Sequence, residues 1–176
     1  MIALLRGINV GGNKKVAMAD LRAFMAELGF GGVQTLLQTG NVVFDGKGAP
    51  ARLESTLERE AAARLGLATD FHVRTDREWR DVVAANPFRK EAERDPAHLV
   101  VVCLKDAVTP ARVAALRAAI RGPERVEAAG RHAYIVYPAG IGTSKLTAAV
   151  IDAKLATRGT ARNWNTARKL EALVGG

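Results

Sequence analysis

The sequence predicts an α+β protein made of two copies of one unit, each reading β-α-β-β-α-β and each followed by an extra helix. Three observations carry this. The hydrophobic period switches cleanly between strand-like runs and helical spacing, the same order of elements occurs twice, and a charged connector, "FRKEAERDPA", lies between the two occurrences.

"MIALLRG" reads as a first strand. In "MADLRAFMAELGF" the residues Leu21, Phe24, Met25 and Leu28 recur at helical spacing, and Gly29 is a stop signal. "VQTLLQTGNVVFD" gives two β-rich runs about Gly40-Asn41, a glycine-led pair suited to a tight hairpin turn. "PARLESTLEREAAARLG" places Leu53, Leu57, Ala61 and Leu65 along one side of a helix, and "TDFHVRT" closes the unit as a strand. "DREWRDVVAA" is the extra helix, with Trp79, Val82 and Val83 on one face, and Asn86-Pro87 ends it.

The second half repeats the order. "HLVVVCL" is a strand, and "TPARVAALRAAI" is a helix with Thr109 as N-cap, Pro110 in its first turn and Val113, Leu116 and Ile120 inward. "RVEAAGRHAYIVYP" is a hairpin about Gly130. "SKLTAAVIDAKLATRG" is a helix entered from "AGIGTS", with Thr143 or Ser144 as its cap, and "TARN" is a closing edge strand. The last helix, "NWNTARKLEALV", carries Trp164, Ala167, Leu170 and Leu173 at helical spacing, with Asn163 as its cap.

A β-α-β-β-α-β string is the ferredoxin-like, or split β-α-β, arrangement. The expectation is therefore tandem ferredoxin-like repeats over residues 1–88 and 89–176, each with an added helix. Each sheet then has a second face that the other half, the extra helices or a ligand must cover, which makes the junction of the halves the preferred place for a site.

Composition narrows the classes of function. The net charge of +8 is uneven: residues 1–88 hold 11 Lys+Arg against 10 Asp+Glu, and residues 89–176 hold 15 against 8. A basic half attracts phosphate-bearing partners through its summed field; the bland alternative is a composition rich in arginine and nothing more. No apolar run approaches the ~20 residues of a bilayer span, and no basic leader with a small-residue cleavage site is present. The expectation is a cytoplasmic protein without a membrane partner. The single cysteine, Cys103, lies in an apolar run and has no partner for a disulfide or a metal.

Four stretches could carry chemistry. In "RGINVGGNKK" (residues 6–15), glycines allow a backbone nest for an anion, and a helix N-terminus follows. Arg6, Asn9, Gly11, Gly12 and Lys14 are the candidates there, although neither nucleotide-binding glycine motif is met. "PAGIGTSKLT" is the apparent counterpart in the second half, with Ser144 and Lys145. "TARNWNT" supplies Arg162 and Asn165 for a polar ligand, while Trp164 falls on an apolar stripe. In "QTGN", a binding role for Gln38 and Asn41 is the lesser reading beside a plain turn.

The catalytic inventory is thin. His72, His98 and His132 stand singly, and no serine-hydrolase or metalloprotease signature is present. No metal and no cofactor is called for.

Together "RGINVGG", "LGF", "QTGNVVF", "NPF" and "RNWNT" span nearly the whole chain in fixed order. On these stretches the chain resembles the uncharacterised bacterial family known as domain of unknown function 1697, departing from its usual pattern in having Thr39 where serine is common. The resemblance implies a tandem ferredoxin-like α+β fold, and it implies no established activity, substrate or cofactor. Three functions stand open. The first is binding of a phosphate-bearing ligand, nucleic acid or nucleotide, through the glycine-containing loops and the basic half. The others are a metal-independent enzyme acting on a small anionic substrate, with Arg6, Asn9 and Lys14 as anchors, and a protein-interaction domain.

Overall fold

The computed structural model describes residues 1–10 and 14–175. The chain divides into two compact units, Met1–Asp81 with Leu170–Gly176 and Val82–Lys169.

The first unit contains β1 (Ile2–Leu5), α1 (Met18–Glu27), β2 (Gly31–Leu36), β3 (Asn41–Asp45), α2 (Pro50–Leu65) and β4 (Phe71–Arg74). Helix α3 (Asp76–Ala84) follows, and the polar connector contains a short helix, α4 (Arg89–Arg94), rather than running as loop. The second unit contains β5 (Leu99–Leu104), α5 (Pro110–Ala118), β6 (Arg125–Ala129), β7 (His132–Val136), α6 (Ala148–Leu155) and β8 (Gly159–Asn163), and the chain ends in α7 (Trp164–Val174). The strand order is β2-β3-β1-β4 in one sheet and β6-β7-β5-β8 in the other. Every pairing is antiparallel. The two units are thus the same split β-α-β topology built twice.

Alternation along the strands sets the cores. In the first sheet Ala3, Leu5, Val42, Phe44, Phe71 and Val73 pack with Leu21, Phe24, Met25, Leu57 and Ala61 of α1 and α2. In the second, Val100, Val102, Leu104, Ala133 and Ile135 pack with Val113, Leu116, Ile151 and Leu155 of α5 and α6. Residues directly opposite across a ladder share a face, so Ile2, Leu4, Asn41, His72 and Arg74 lie on the other side of the first sheet. All five are buried.

The repeat extends to hydrogen bonds outside the ladders. Arg6 N–H donates to Asp70 C=O at 3.0 Å, and Lys105 N–H donates to Arg158 C=O at 2.9 Å. Leu5 N–H donates to Gly40 C=O, and Leu104 N–H to Arg131 C=O. On the outer edges, carboxylates accept from strand N–H groups that have no neighbouring strand. Glu58 takes Phe71 (2.9 Å) and Glu54 takes Val73 (2.8 Å) on β4, and Asp152 takes Gly159 (3.1 Å) on β8. A covered edge cannot pair with another chain.

This equivalence corrects one sequence expectation. The counterpart of the β1–α1 loop is the β5–α5 connection at 105–109, because the residues leaving β1 and β5 make the same bonds. "PAGIGTSKLT" instead joins β7 to α6 and matches the short β3–α2 connection.

Three local expectations also change. The first hairpin turns through residues 37–40, with Leu37 (φ 60°) and Gly40 (φ 72°) both left-handed, while Asn41 belongs to β3 and donates to Leu36 C=O and Thr39 Oγ1. Helix α6 starts later than expected, and its cap is Thr147, whose hydroxyl accepts from Val150 N–H. Ser144 and Lys145 therefore precede the cap and are not at the helix start. Leu173, expected on the apolar stripe of α7, is 41% exposed, whereas Trp164, Ala167 and Leu170 are buried. The remaining caps are as expected: Thr109 accepts from Arg112 N–H, and Asn163 Oδ1 accepts from Thr166 N–H.

Candidate functional site

In the first unit a cleft of about 460 Å³ opens beside the β1–α1 loop, lined by Asn9, Lys15, Val16, Ala17, Asp20, Gln38 and Leu65. Such a volume lies within the range of small-molecule sites. Its walls come from four places, one of them Leu65 at the end of α2. Residues 9 and 15–17 leave β1 for α1, Asp20 sits in the first turn of α1, and Gln38 is on the hairpin tip.

Asn9 joins two of these walls. Its φ is 53°, a left-handed value that asparagine tolerates better than most side chains. Its carboxamide donates to Val16 C=O at 2.9 Å and to Gln38 C=O at 2.7 Å, and its Oδ1 accepts from Val16 N–H at 3.0 Å. Asn9 N–H donates to Lys14 C=O at 3.3 Å, closing the loop upon itself. The Asn9 side chain thus spends its donors and its acceptor on building the cleft.

Backbone strain gathers here. Among the described residues four non-glycines have left-handed φ: Asn9, Lys14 (49°), Leu37 and Ala156. Asn9 lines the cleft, Lys14 and Leu37 adjoin its lining residues Lys15 and Gln38 in sequence, and each left-handed residue costs of order 1 kcal/mol or more that the surrounding structure must offset. Leu37 is also 51% exposed, and Val10 on the facing loop is 60% exposed. Lys15 lines the cleft, and the exposed side chains of Val10, Lys14 and Leu37 are next in sequence to its lining residues Asn9, Lys15 and Gln38.

The cleft also opens on the N-terminus of α1. The N-cap is Ala17, whose methyl accepts no hydrogen bond from the first turn. The partial positive charge of a helix start stands beside Lys15, and Asp20 offsets part of it.

The other expected site residues are distributed. Gly11 and Gly12 lie outside the described residues. Arg6 is tied through its backbone, its C=O accepting from Thr69 Oγ1 at 2.5 Å. Ser144 donates to Glu124 Oε1 and accepts from Leu146 N–H, so it stiffens the approach to α6. Lys145 lines a separate groove with Arg121 and Lys154. Arg162 is buried, and its guanidinium donates to Thr160 Oγ1 (2.9 Å) and Ala161 C=O (2.8 Å). Burial pushes its pKa down to about 10. Asn165 is exposed on α7.

Sequence reasoning offered Lys15 beside Arg6 and Lys14 as a cation for a bound anion, and passed over Asp20, Leu37, Arg121 and Lys154, which carry no local signal. Among the described residues no group of three His, Cys, Asp or Glu side chains could hold a metal ion, and no helix is long and apolar enough to cross a membrane.

The fold and the cleft define a two-unit α+β protein with a loop-built pocket. The family model described as "Protein of unknown function (DUF1697)" matches residues 1–134, and the chain belongs to that family. Among solved structures it is similar to "conserved bacterial protein SP0830 from Streptococcus pneumoniae", with a TM-score of 0.73, 22% sequence identity and coverage of 98% of this chain and 97% of that one. At that identity the likeness concerns the fold alone. No curated protein matches the chain.

Proposed function

We propose that the protein binds a phosphate-bearing ligand of nucleotide size in the first-unit cleft. The observation that supports this reading is that three strained non-glycine residues, Asn9, Lys14 and Leu37, lie in or next in sequence to the lining of one cleft, to which Lys15 contributes a cation. Strain retained at a single place is a mark of function. A phosphate there would accept hydrogen bonds from the lysines and from the first turn of α1, which Ala17 leaves without a side-chain cap. Val10 and Leu37 would offer apolar contact to the ring or sugar that carries the phosphate.

A thermal-shift screen against nucleotides, sugar phosphates and inorganic phosphate tests the proposal, with the double variant Lys14→Ala/Lys15→Ala run beside the parent. A cognate ligand raises the parent melting temperature by preferential binding to the folded state and leaves the double variant unmoved. Equal shifts in parent and variant, or none with any phosphate compound, would dismiss the cleft as the site.

A further inference from the structure

The positive charge of this protein belongs to one unit. The first unit carries 11 Lys+Arg and 11 Asp+Glu, net zero, whereas the second carries 15 against 7, which is the whole +8. Within the second unit α5 and α6 pack side by side on the helix face of the sheet and leave a groove of about 580 Å³ between them. Its lining combines small side chains, Ala115, Ala118 and Val150 among them, with the cations Arg121, Lys145 and Lys154. No carboxylate lines it.

What sets these three apart from the unit's other unpaired cations is that they line one groove. Arg117 is paired with Glu127 at 2.5 Å, Arg125 with Glu91, and Arg131 donates to Lys105 C=O. The side chains of Arg121, Lys145 and Lys154 make neither a hydrogen bond nor an ion pair among the described residues. Three uncommitted cations around one concavity repel one another, and that repulsion is relieved by an anion reaching all three.

We propose that this groove seats the sugar–phosphate backbone of a nucleic acid. A lining of small aliphatic side chains leaves room for a sugar and supplies no aromatic ring for a base to stack upon, so the contact is to the backbone and tolerant of sequence. A lone phosphate would leave part of the rim unneutralised. An acidic peptide helix would need large apolar anchors to hold it, and alanine and valine offer little area. This inference concerns a different unit from the cleft above and stands independently of it.

Fluorescence anisotropy of a labelled, mixed-sequence single-stranded DNA, titrated with the intact protein at several salt concentrations, provides the test. Three phosphate contacts contribute about −2 to the slope of log affinity against log salt for a single strand. Arg121→Glu, Lys145→Glu and Lys154→Glu together are expected to flatten the slope by about that much and to weaken low-salt binding by more than roughly tenfold. A control reverses Lys90, Arg94 and Lys169, exposed cations of the same unit away from the groove. It changes net charge equally and is expected to lose far less. The single neutralisations Arg121→Gln, Lys145→Gln and Lys154→Gln, each flattening the slope by about 0.7, give the same answer if the triple variant fails to fold. No binding by the parent, equal losses in groove and control variants, or tighter binding of a poly-glutamate peptide than of the DNA would overturn the proposal.

Discussion

Asn9, in the loop after β1, donates its carboxamide N–H to the backbone C=O of Gln38 at the tip of the β2–β3 hairpin, at 2.7 Å. The loop and the hairpin are thereby joined as two walls of one cleft, although Asn9 and Gln38 lie 29 residues apart in the chain.

Asn9→Gly and Asn9→Ala separate the two demands on that position. Glycine accepts the φ of 53° but forfeits the three side-chain hydrogen bonds. At about 1 kcal/mol each, less what water restores, the loss is roughly 2 kcal/mol. Alanine adds about 1 kcal/mol of left-handed strain. Urea denaturation should rank parent above glycine above alanine, and equal values for the two variants would mean that φ costs nothing there.

The hairpin tip should respond in opposite directions to two substitutions. A Cβ on Gly40 would stand 2.6 Å from Ile8 Cδ1 and 2.8 Å from Leu5 Cβ at a φ of 72°. Gly40→Ala is expected to lose about 2–4 kcal/mol by strain and overpacking. Leu37→Gly relieves a left-handed leucine that is half in solvent, and should gain up to about 1 kcal/mol. Melting temperatures of the two variants check both signs. If Leu37 contacts the ligand, the stabilised variant also loses ligand-induced stabilisation.

Glu54 is a buried carboxylate, 4% exposed, that accepts from Val73 N–H and lies 3.5 Å from the guanidinium of the equally buried Arg74. Glu54→Ala leaves both without that acceptor in the interior and should cost about 3–5 kcal/mol. Glu58→Ala uncovers only the half-buried edge at Phe71 and should cost about 1 kcal/mol. Guanidinium unfolding of the pair measures the difference, and comparable losses would refute the distinction drawn from burial.

The chain has two tyrosines, and both are buried. Tyr134 donates to Val82 C=O at 2.6 Å and Tyr137 to Leu146 C=O at 3.1 Å. Burial raises the pKa of Tyr137 to about 12 and that of Tyr134 further still. A raised acid pKa means that the unfolded chain releases its proton first. Stability is therefore intact below the ordinary tyrosine value of about 10 and falls as pH climbs from there toward 12. Absorbance titration should show no tyrosinate until the near-ultraviolet circular dichroism collapses; a tyrosinate signal in the folded protein near pH 10 would contradict it.

The order of elements was legible because each segment declares its period locally. Leu21, Phe24 and Met25 can form a stripe only on a helix, and Val100 and Val102 can share a face only on a strand. Caps were less legible where hydroxyls crowd. Thr143, Ser144 and Thr147 all precede α6, and the choice fell to Thr147 because Ser144 is occupied by Glu124 and Leu146 N–H. The candidate site was legible in part. Asn9 was chosen for contact with a ligand, and the structure gives it a structural task. Gln38 entered the wall because the hairpin folds onto the loop, and Arg121, just beyond α5, and Lys154 of α6 line one groove although they lie far apart in the chain.

Period, capping residues and turn glycines were enough to determine the tandem β-α-β-β-α-β order, since each is a property of a few adjacent residues. The tertiary structure alone decided which loops are equivalent, which cations stand uncommitted and where strain gathers. Those depend on strand pairing and helix packing, which bring together groups whose separation along the chain carries no local signal.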